Sequence, residues 1–137
     1  MDTISAERRS ANMRKIKSRD SKPEMIVRRS AHRLGYRFRL HRTDLPGKPD
    51  LVFSRRPKVI FVHGCFWHQH ADAECRHGRA PRSNLDYWKP KLARNVSRDA
   101  ESTARLVERG WSVLTIWECQ TRDEQALAER LRQFLDD

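Results

Sequence analysis

The distribution of hydrophobic and polar positions along the chain predicts an alternation of helices and strands. Apolar residues recur at helical spacing in three segments, residues 21–34, 84–109 and 121–135, and as a thinner stripe in a basic segment, residues 5–17. Short β-branched and aromatic runs predict strands at residues 36–40, 51–53, 58–62 and 111–117, the last of them central in the sheet. This order predicts an α/β fold, with a mixed sheet flanked by helices.

Turn residues near the middle of the chain predict a β-hairpin. Pro46-Gly47 and Pro49 precede its first strand, and Arg55-Arg56-Pro57 connects the two strands. Asp50 stands at the start of the first strand, and the second strand leads into the segment His63-Gly64-Cys65-Phe66-Trp67-His68-Gln69-His70. A hairpin core needs neither three histidines nor an exposed Phe-Trp pair, so this segment indicates a functional site.

The charge of the chain is concentrated in its first 60 residues. The 137 residues carry a formal net charge of +11. Residues 1–60 hold 17 Lys and Arg against 6 Asp and Glu, whereas residues 61–137 hold 12 of each kind. A localised positive field is typical of nucleic-acid binding, although a solubility charge is the plainer alternative. We expect a basic N-terminal arm, residues 1–20, and a single domain, residues 21–137.

Composition also bears on the compartment. The chain has no apolar run long enough to span a membrane and no apolar signal-peptide core near its start. Three cysteines make a poor disulfide framework and indicate a reducing compartment, in which they serve as metal ligands or thiols. These features predict a cytoplasmic protein without a membrane partner, associated with the nucleoid through DNA.

Soft metal ligands cluster in and beyond the hairpin. Three cysteines and one histidine could form a tetrahedral zinc site that joins a loop to the end of a strand. That set is Cys65, His70, Cys75 and Cys119, and Asp72, His68 or His77 could replace one ligand. The alternative for Cys119 is an ordinary buried thiol.

One carboxylate suits a harder cation. Asp50, preceded by Pro49 at a strand start, is the ligand type that Mg²⁺ prefers. A Pro-Asp pair followed by a second strand is familiar from nucleases of the PD-(D/E)xK type. The second strand of those enzymes carries an acidic residue and a lysine two positions later, and this pair is absent here. A nuclease with this sequence would use a histidine, and His68 suits a general base that Asp99 could orient. Asp99 and Asn95 share a helix face whose plainer interpretation is solvation.

Several motifs together resemble the very short patch repair (Vsr) mismatch endonucleases over about residues 8–135. The motifs are Ser10-x-Asn12-Met13-Arg14, Arg19-Asp20 with Glu24, Leu45-Pro46-Gly47-x-Pro49-Asp50, residues 63–70, Asn95-x-x-Arg98-Asp99, Gly110-Trp111 and Trp117-Glu118-Cys119. The resemblance implies a restriction-endonuclease-like fold with a structural zinc site. It also implies Mg²⁺-dependent nicking of double-stranded DNA 5′ to the thymine of a T·G mismatch, a lesion left by deamination of 5-methylcytosine.

The resemblance also implies roles for individual residues. Asp50 would hold Mg²⁺ with the main-chain carbonyl of Val62, while Glu24 and His63 would orient water bound to the ion. His68 would be the base, paired with Asp99, and Asn95 would face the phosphate. DNA contacts would come from Phe66, Trp67 and Trp88 as an aromatic wedge and from Met13 and Arg14 on the arm. Structural zinc would be held by Cys65, His70, Cys75 and Cys119.

The family pattern differs here at the third zinc ligand, because four residues separate His70 from Cys75 where the family usually has fewer. Asp72 is therefore a substitute ligand. The resemblance further implies a monomer, with mismatch-repair proteins as accessory partners. Two other functions stay open: a related restriction or mobile-element endonuclease that cuts matched duplex DNA, and a non-catalytic, zinc-stapled DNA-binding module.

Overall fold

A computed structural model describes residues 21–65 and 85–136, and the side chains of the second range from residue 89 onward. The predicted arm, its basic helix and the loop after the hairpin lie outside these residues. Within the described ranges, no helix is both long and apolar enough to cross a membrane.

The described residues form a four-stranded sheet and three α-helices. The helices are α1 (Lys22–Arg33), α2 (Leu85–Glu108) and α3 (Glu124–Leu135). The strands are β1 (Arg39–Leu40), β2 (Leu51–Phe53), β3 (Lys58–His63) and β4 (Ser112–Trp117), and a 3₁₀ turn occupies Glu118–Thr121. The strand order is β1-β2-β3-β4, antiparallel from β1 to β3 and parallel between β3 and β4. The predicted mixed α/β architecture is confirmed.

The predicted hairpin is confirmed, but the predicted place of the last strand is wrong. Leu51 pairs with Ile60 across the hairpin. Within the described sheet β4 is an edge strand, and β3 is an inner strand that is buried on both faces. The near-continuous apolar run of β3 is typical of such a strand. In β4 Ser112 is exposed and Ile116 is fully buried, and this partial burial fits an edge position.

Capping side chains mark the N-termini of two helices. At the start of α1 the Ser21 hydroxyl accepts a hydrogen bond from the Glu24 amide at 3.4 Å, as the capping-box spacing predicts. The helix at the C-terminus begins later than predicted because a 3₁₀ turn follows β4 directly. Asp123 then caps α3 by accepting a hydrogen bond from the Ala126 amide at 3.1 Å.

Within the described residues the sheet separates two hydrophobic cores, so these residues form three layers. The core against α1 and α3 contains Val27, Ala31, Leu51, Phe53, Ile60, Ile116, Leu127, Leu131 and Leu135. The core on the other face, closed by α2, contains Leu45, Val52, Val59, Phe61 and Leu106. Successive residues of β2 and β3 alternate between the two cores, which is the period of a β-strand.

The helical spacing within residues 84–109 predicts that one face packs on the sheet, formed by Leu85, Trp88, Leu92, Val96, Thr103, Leu106 and Val107, but the observed face differs. Leu92 and Leu106 are buried as predicted, but Val96 and Val107 are 44% and 58% exposed. Between the two leucines, the positions at matching helical spacing are polar, and one of them is Ser102. A β-carbon added at Gly47 would lie 2.6 Å from the Ser102 β-carbon, so the turn before Asp50 packs tightly on α2.

The far end of the hairpin is fastened to the C-terminus of α3. Arg56 Nη1 donates a hydrogen bond to the Leu135 carbonyl at 2.5 Å, and the Lys58 ammonium donates to the Phe134 carbonyl. Cationic donors at a helix C-terminus satisfy carbonyls that have no partner within the helix. Asp50 lies at the opposite end of the hairpin, where the candidate functional side chains are found.

Candidate active site

Three elements bring two carboxylates and an imidazole together at one end of the sheet. The first turn of α1 places Glu24, β2 is preceded by Asp50, and β1 is followed by His41. Because β1 and β2 are antiparallel, with Leu40 opposite Leu51, His41 and Asp50 lie opposite each other. The His41 amide donates to the Asp50 carbonyl at 3.4 Å, which continues the ladder by one step.

The side-chain atoms of this cluster converge. His41 Nε2 lies 2.9 Å from Glu24 Oε2 and 3.8 Å from Asp50 Oδ1. One ligand atom from each of the three residues lies within 4.8 Å of the other two. The Arg28 guanidinium contacts the same Glu24 oxygen. Glu24 is 1% exposed and Asp50 is 8% exposed, so the two carboxyl groups share a site with little water.

Burial next to a second carboxylate changes the acidity of Asp50. Burial first, and then the neighbouring Glu24, raise the pKa of Asp50 to about 8, against the opposing effects of the Val62 amide and Arg28. The Val62 amide donates to Asp50 Oδ2 at 2.7 Å. The main chain of Val62 therefore lies directly beside the carboxylate with which it was predicted to hold a metal.

This donor set fits a divalent cation. Two adjacent buried carboxylates repel each other when both are ionised, and a cation between them removes that repulsion. Carboxylate oxygens suit Mg²⁺, and an imidazole nitrogen broadens the choice towards transition metals. Among the described residues, Glu24, His41 and Asp50 form a group that could hold such an ion.

A second polar group lies between β3 and α2, where β3 ends. His63 Nδ1 is 3.9 Å from Asp99 Oδ2, and His63 is only 7% exposed. The rings of Phe61 and Trp117 flank the imidazole with centroids at 5.5 and 5.3 Å. This packing fixes the orientation of the ring on the face of the sheet that α2 covers.

Two polar residues of α2, Asn95 and Asp99, do not lie on a freely solvated face. Asn95 and Asp99 are both half-buried, and they follow Leu92 at helical spacing on the side that faces the sheet. The Asn95 side-chain oxygen accepts a hydrogen bond from Arg98 at 2.5 Å. The solvation interpretation of Asp99 is wrong, since this carboxylate lies beside the buried His63.

Two of the predicted zinc ligands lie at the same end of the sheet. The parallel pairing of β3 and β4 ends with His63 opposite Trp117. Cys65 and Cys119 each follow that last pair by two residues. Cys65 is buried and Cys119 is half-buried.

Many of the predicted site residues lie outside the described parts of the chain. They are Met13, Arg14, Phe66, Trp67, His68, His70, Asp72 and Cys75. The backbone of Trp88 belongs to α2. Of the residues brought together, sequence reasoning missed His41. His41 lies opposite Asp50 once Leu40 pairs with Leu51, but the sequence pattern does not specify that register, so the sequence carried no signal for His41.

Comparison with known proteins identifies the family of this chain. A family model described as DNA mismatch endonuclease Vsr matches residues 1–75. The chain is 50% identical over 135 residues to the type II nicking enzyme V.XorIIP of Xanthomonas oryzae pv. oryzae, across 98% of this chain and 97% of the relative. The chain belongs to the Vsr family.

Two further Vsr relatives span most of the chain. It is 39% identical over 132 residues to the DNA mismatch endonuclease Vsr of Escherichia coli, across 93% of this chain and 83% of the relative. It is 37% identical over 134 residues to the type II nicking enzyme V.NmeAIP of Neisseria meningitidis, across 98% and 94%. The resemblance predicted from the motifs is confirmed, and the protein is an endonuclease. Vsr family nucleases are metal-dependent, in keeping with the carboxylate and imidazole cluster.

The raised pKa of Asp50 makes the stability of the metal-free protein depend on pH. The folded state keeps the Asp50 proton up to about pH 8, whereas the unfolded chain releases it near pH 3.8. Between these values the unfolded state binds fewer protons, so the free energy of unfolding decreases as pH rises. We expect Asp50→Asn, which keeps an acceptor for the Val62 amide, to raise the melting temperature at pH 8 in EDTA by roughly 3–10 °C.

The control for Asp50→Asn is the same substitution at a carboxylate outside the cluster. Asp44 is exposed, and its hydrogen bonds with Arg42 lower its pKa, so Asp44→Asn should give no gain at pH 8. Melting curves by circular dichroism at pH 4.5 and pH 8 measure both variants. Equal melting temperatures for the parent and Asp50→Asn at pH 8 would contradict the buried carboxylate pair.

Proposed function

We propose that this Vsr family endonuclease nicks one DNA strand 5′ to the thymine of a T·G mismatch by Mg²⁺-dependent phosphodiester hydrolysis. The observation that carries the proposal is the buried pair of carboxylates, Glu24 and Asp50, delivered to one point by α1 and β2. The mismatch itself is supported by the relative named DNA mismatch endonuclease, at 39% identity.

The predicted site residues would each have a separate role in the reaction. Asp50 and the Val62 carbonyl would hold the cation, and Glu24 and His63 would orient the attacking water. A bound Mg²⁺ supplies charge that stabilises the transition state on the scissile phosphate. His68 would take a proton from the water, with Asp99 orienting its ring. Asp99 lies next to β3, the strand that leads towards His68 in the sequence.

DNA contacts would surround this centre. Asn95 would face the phosphate, and it lines a concavity on α2 together with Lys91, Arg94 and Arg98. Such cations attract a polyanion through counterion release. Phe66, Trp67 and Trp88 would enter the base stack beside the mismatch, where a weak pair opens at low cost, and Met13 and Arg14 would reach it from the arm.

A structural zinc ion would hold the segment after β3 against β4. Cys65 and Cys119 follow paired positions of neighbouring strands, which suits two ligands of one tetrahedral site. His70 with Cys75, or with Asp72 in its place, would complete the set.

Nicking of matched duplex DNA is the second function that an observation favours. The relative at 50% identity is named a type II nicking enzyme, and that name specifies no mismatch. The non-catalytic binding module has no such support, because the family consists of endonucleases.

A gel assay on end-labelled duplexes that differ only by T·G or T·A at one position tests the proposal. We expect one Mg²⁺-dependent nick, 5′ to the thymine and confined to the T·G duplex, because opening a mismatch costs less than opening a matched pair. Asp50→Ala and His68→Ala should lose roughly 10²-fold or more in rate, while Asp44→Ala, which removes an exposed carboxylate, should not. Equal nicking of both duplexes would establish the matched-duplex function instead.

Cys119→Ala tests the zinc site separately. A staple that loses one thiolate donor binds zinc more weakly, so zinc content should fall and the melting temperature should drop. Elemental analysis and thermal melting measure both quantities. Unchanged zinc content with an unchanged melting temperature would refute Cys119 as a ligand.

A further inference from the structure

One histidine of the cluster has no role in the proposed reaction. His41 follows the edge strand β1, and its backbone φ of +49° places it in the left-handed region, which few residues other than glycine adopt. Asn, Asp and His are enriched in that region. With the chain turned this way, the imidazole lies against Glu24 on one side and Asp50 on the other.

The spacing of these atoms suits coordination of one ion. Neighbouring ligand atoms around an octahedral ion at about 2.1 Å are about 3 Å apart. His41 Nε2 lies 2.9 Å from Glu24 Oε2 and 3.8 Å from Asp50 Oδ1, on the same scale as those edges. An ion bound to Asp50 inside this triangle would therefore also lie within reach of the imidazole nitrogen.

Arg28 supplies positive charge next to Glu24 in the metal-free site. Its guanidinium contacts the same Glu24 oxygen as His41, and Arg28 Nη2 lies 3.4 Å from His41 Nε2. A divalent ion bound next to Glu24 would lie close to this guanidinium, and the repulsion between the two positive charges would displace the guanidinium from Glu24. The imidazole can stay, because a neutral ring that carries its proton on Nδ1 leaves Nε2 free to bind the ion, so ion binding moves the proton from Nε2 to Nδ1.

We propose that His41 is a direct nitrogen ligand of the catalytic cation and that it shifts the site's preference from Mg²⁺ towards Mn²⁺ and later first-row ions. The inference rests on the proposed metal-dependent function and adds a donor to it. An all-oxygen site suits Mg²⁺, and an imidazole favours the ions that follow Mn²⁺ in the order of increasing affinity. His41 is then a residue that determines which divalent ion the enzyme uses.

Mn²⁺ electron spin-echo envelope modulation on the whole protein tests this assignment. A nitrogen bound directly to Mn²⁺ gives a ¹⁴N coupling, which we expect in the parent protein. His41→Asn tolerates the same backbone conformation, and His41→Gly relieves it entirely, so both variants should fold and lose the coupling. His32→Asn removes an exposed imidazole from α1 and should keep the coupling.

Binding constants complete the test. Titration of the free Mn²⁺ signal should show affinity reduced roughly tenfold in both His41 variants, while Mg²⁺, measured by competition, should change far less. A ¹⁴N coupling that persists in both variants, or is absent from the parent, would overturn the proposal. Equal losses of Mn²⁺ and Mg²⁺ affinity would also overturn it, because His41 would then only hold Glu24 in place.

This result is separable from the proposed function. If the parent nicks the T·G duplex but the His41 variants keep the ¹⁴N coupling, only the inference about His41 fails. If the coupling behaves as expected but the parent nicks T·G and T·A equally, the ligand assignment stands and the mismatch specificity fails.

Discussion

The repulsion between two buried carboxyl groups is the constraint on which the rest of this site depends. Glu24 and Asp50 are nearly inaccessible to solvent, and the pKa of Asp50 is raised to about 8 by burial and by its neighbour. A fold selected only for stability would avoid such a pair, because uncompensated buried charge is costly. Arg28 and His41 offset part of that cost, and a divalent cation would offset more. The free-energy cost of burying these two carboxyl groups without a cation is what we expect of a site that binds a metal ion.

Ordinary fold elements assemble this arrangement. Antiparallel pairing places His41 opposite Asp50, the capped first turn of α1 supplies Glu24, and the β3 amide of Val62 fixes the Asp50 carboxylate. The helix on the opposite face contributes Asp99, one of the polar positions that lie between the buried Leu92 and Leu106. Each side chain comes from a rigid element or from the residue next to one, and such positions hold a site more precisely than long loops do.

The sequence predicted the local elements well because caps, turns and periodicity are local signals. It indicated Asp50 through a Pro-Asp pair at a strand start and Glu24 through motif resemblance, but their proximity depends on how α1 packs on the sheet. His41 was missed because β1 has only two residues, and pattern does not specify the register of so short a strand. Val96 and Val107 misled the assignment of the α2 face, since apolar residues also occur singly on surfaces. The edge position of β4 depends on strand order, which composition does not encode.

The central claim is that Asp50, buried next to the Glu24 carboxylate, binds the cation of a Vsr family endonuclease. Anomalous diffraction from crystals of the protein with a T·G duplex, soaked in Mn²⁺, tests it most directly. The account predicts a strong anomalous peak about 2.1 Å from an Asp50 carboxylate oxygen, on the side that faces Glu24. A strongest peak elsewhere, with the Asp50 carboxylate making no contact to any ion, would contradict it.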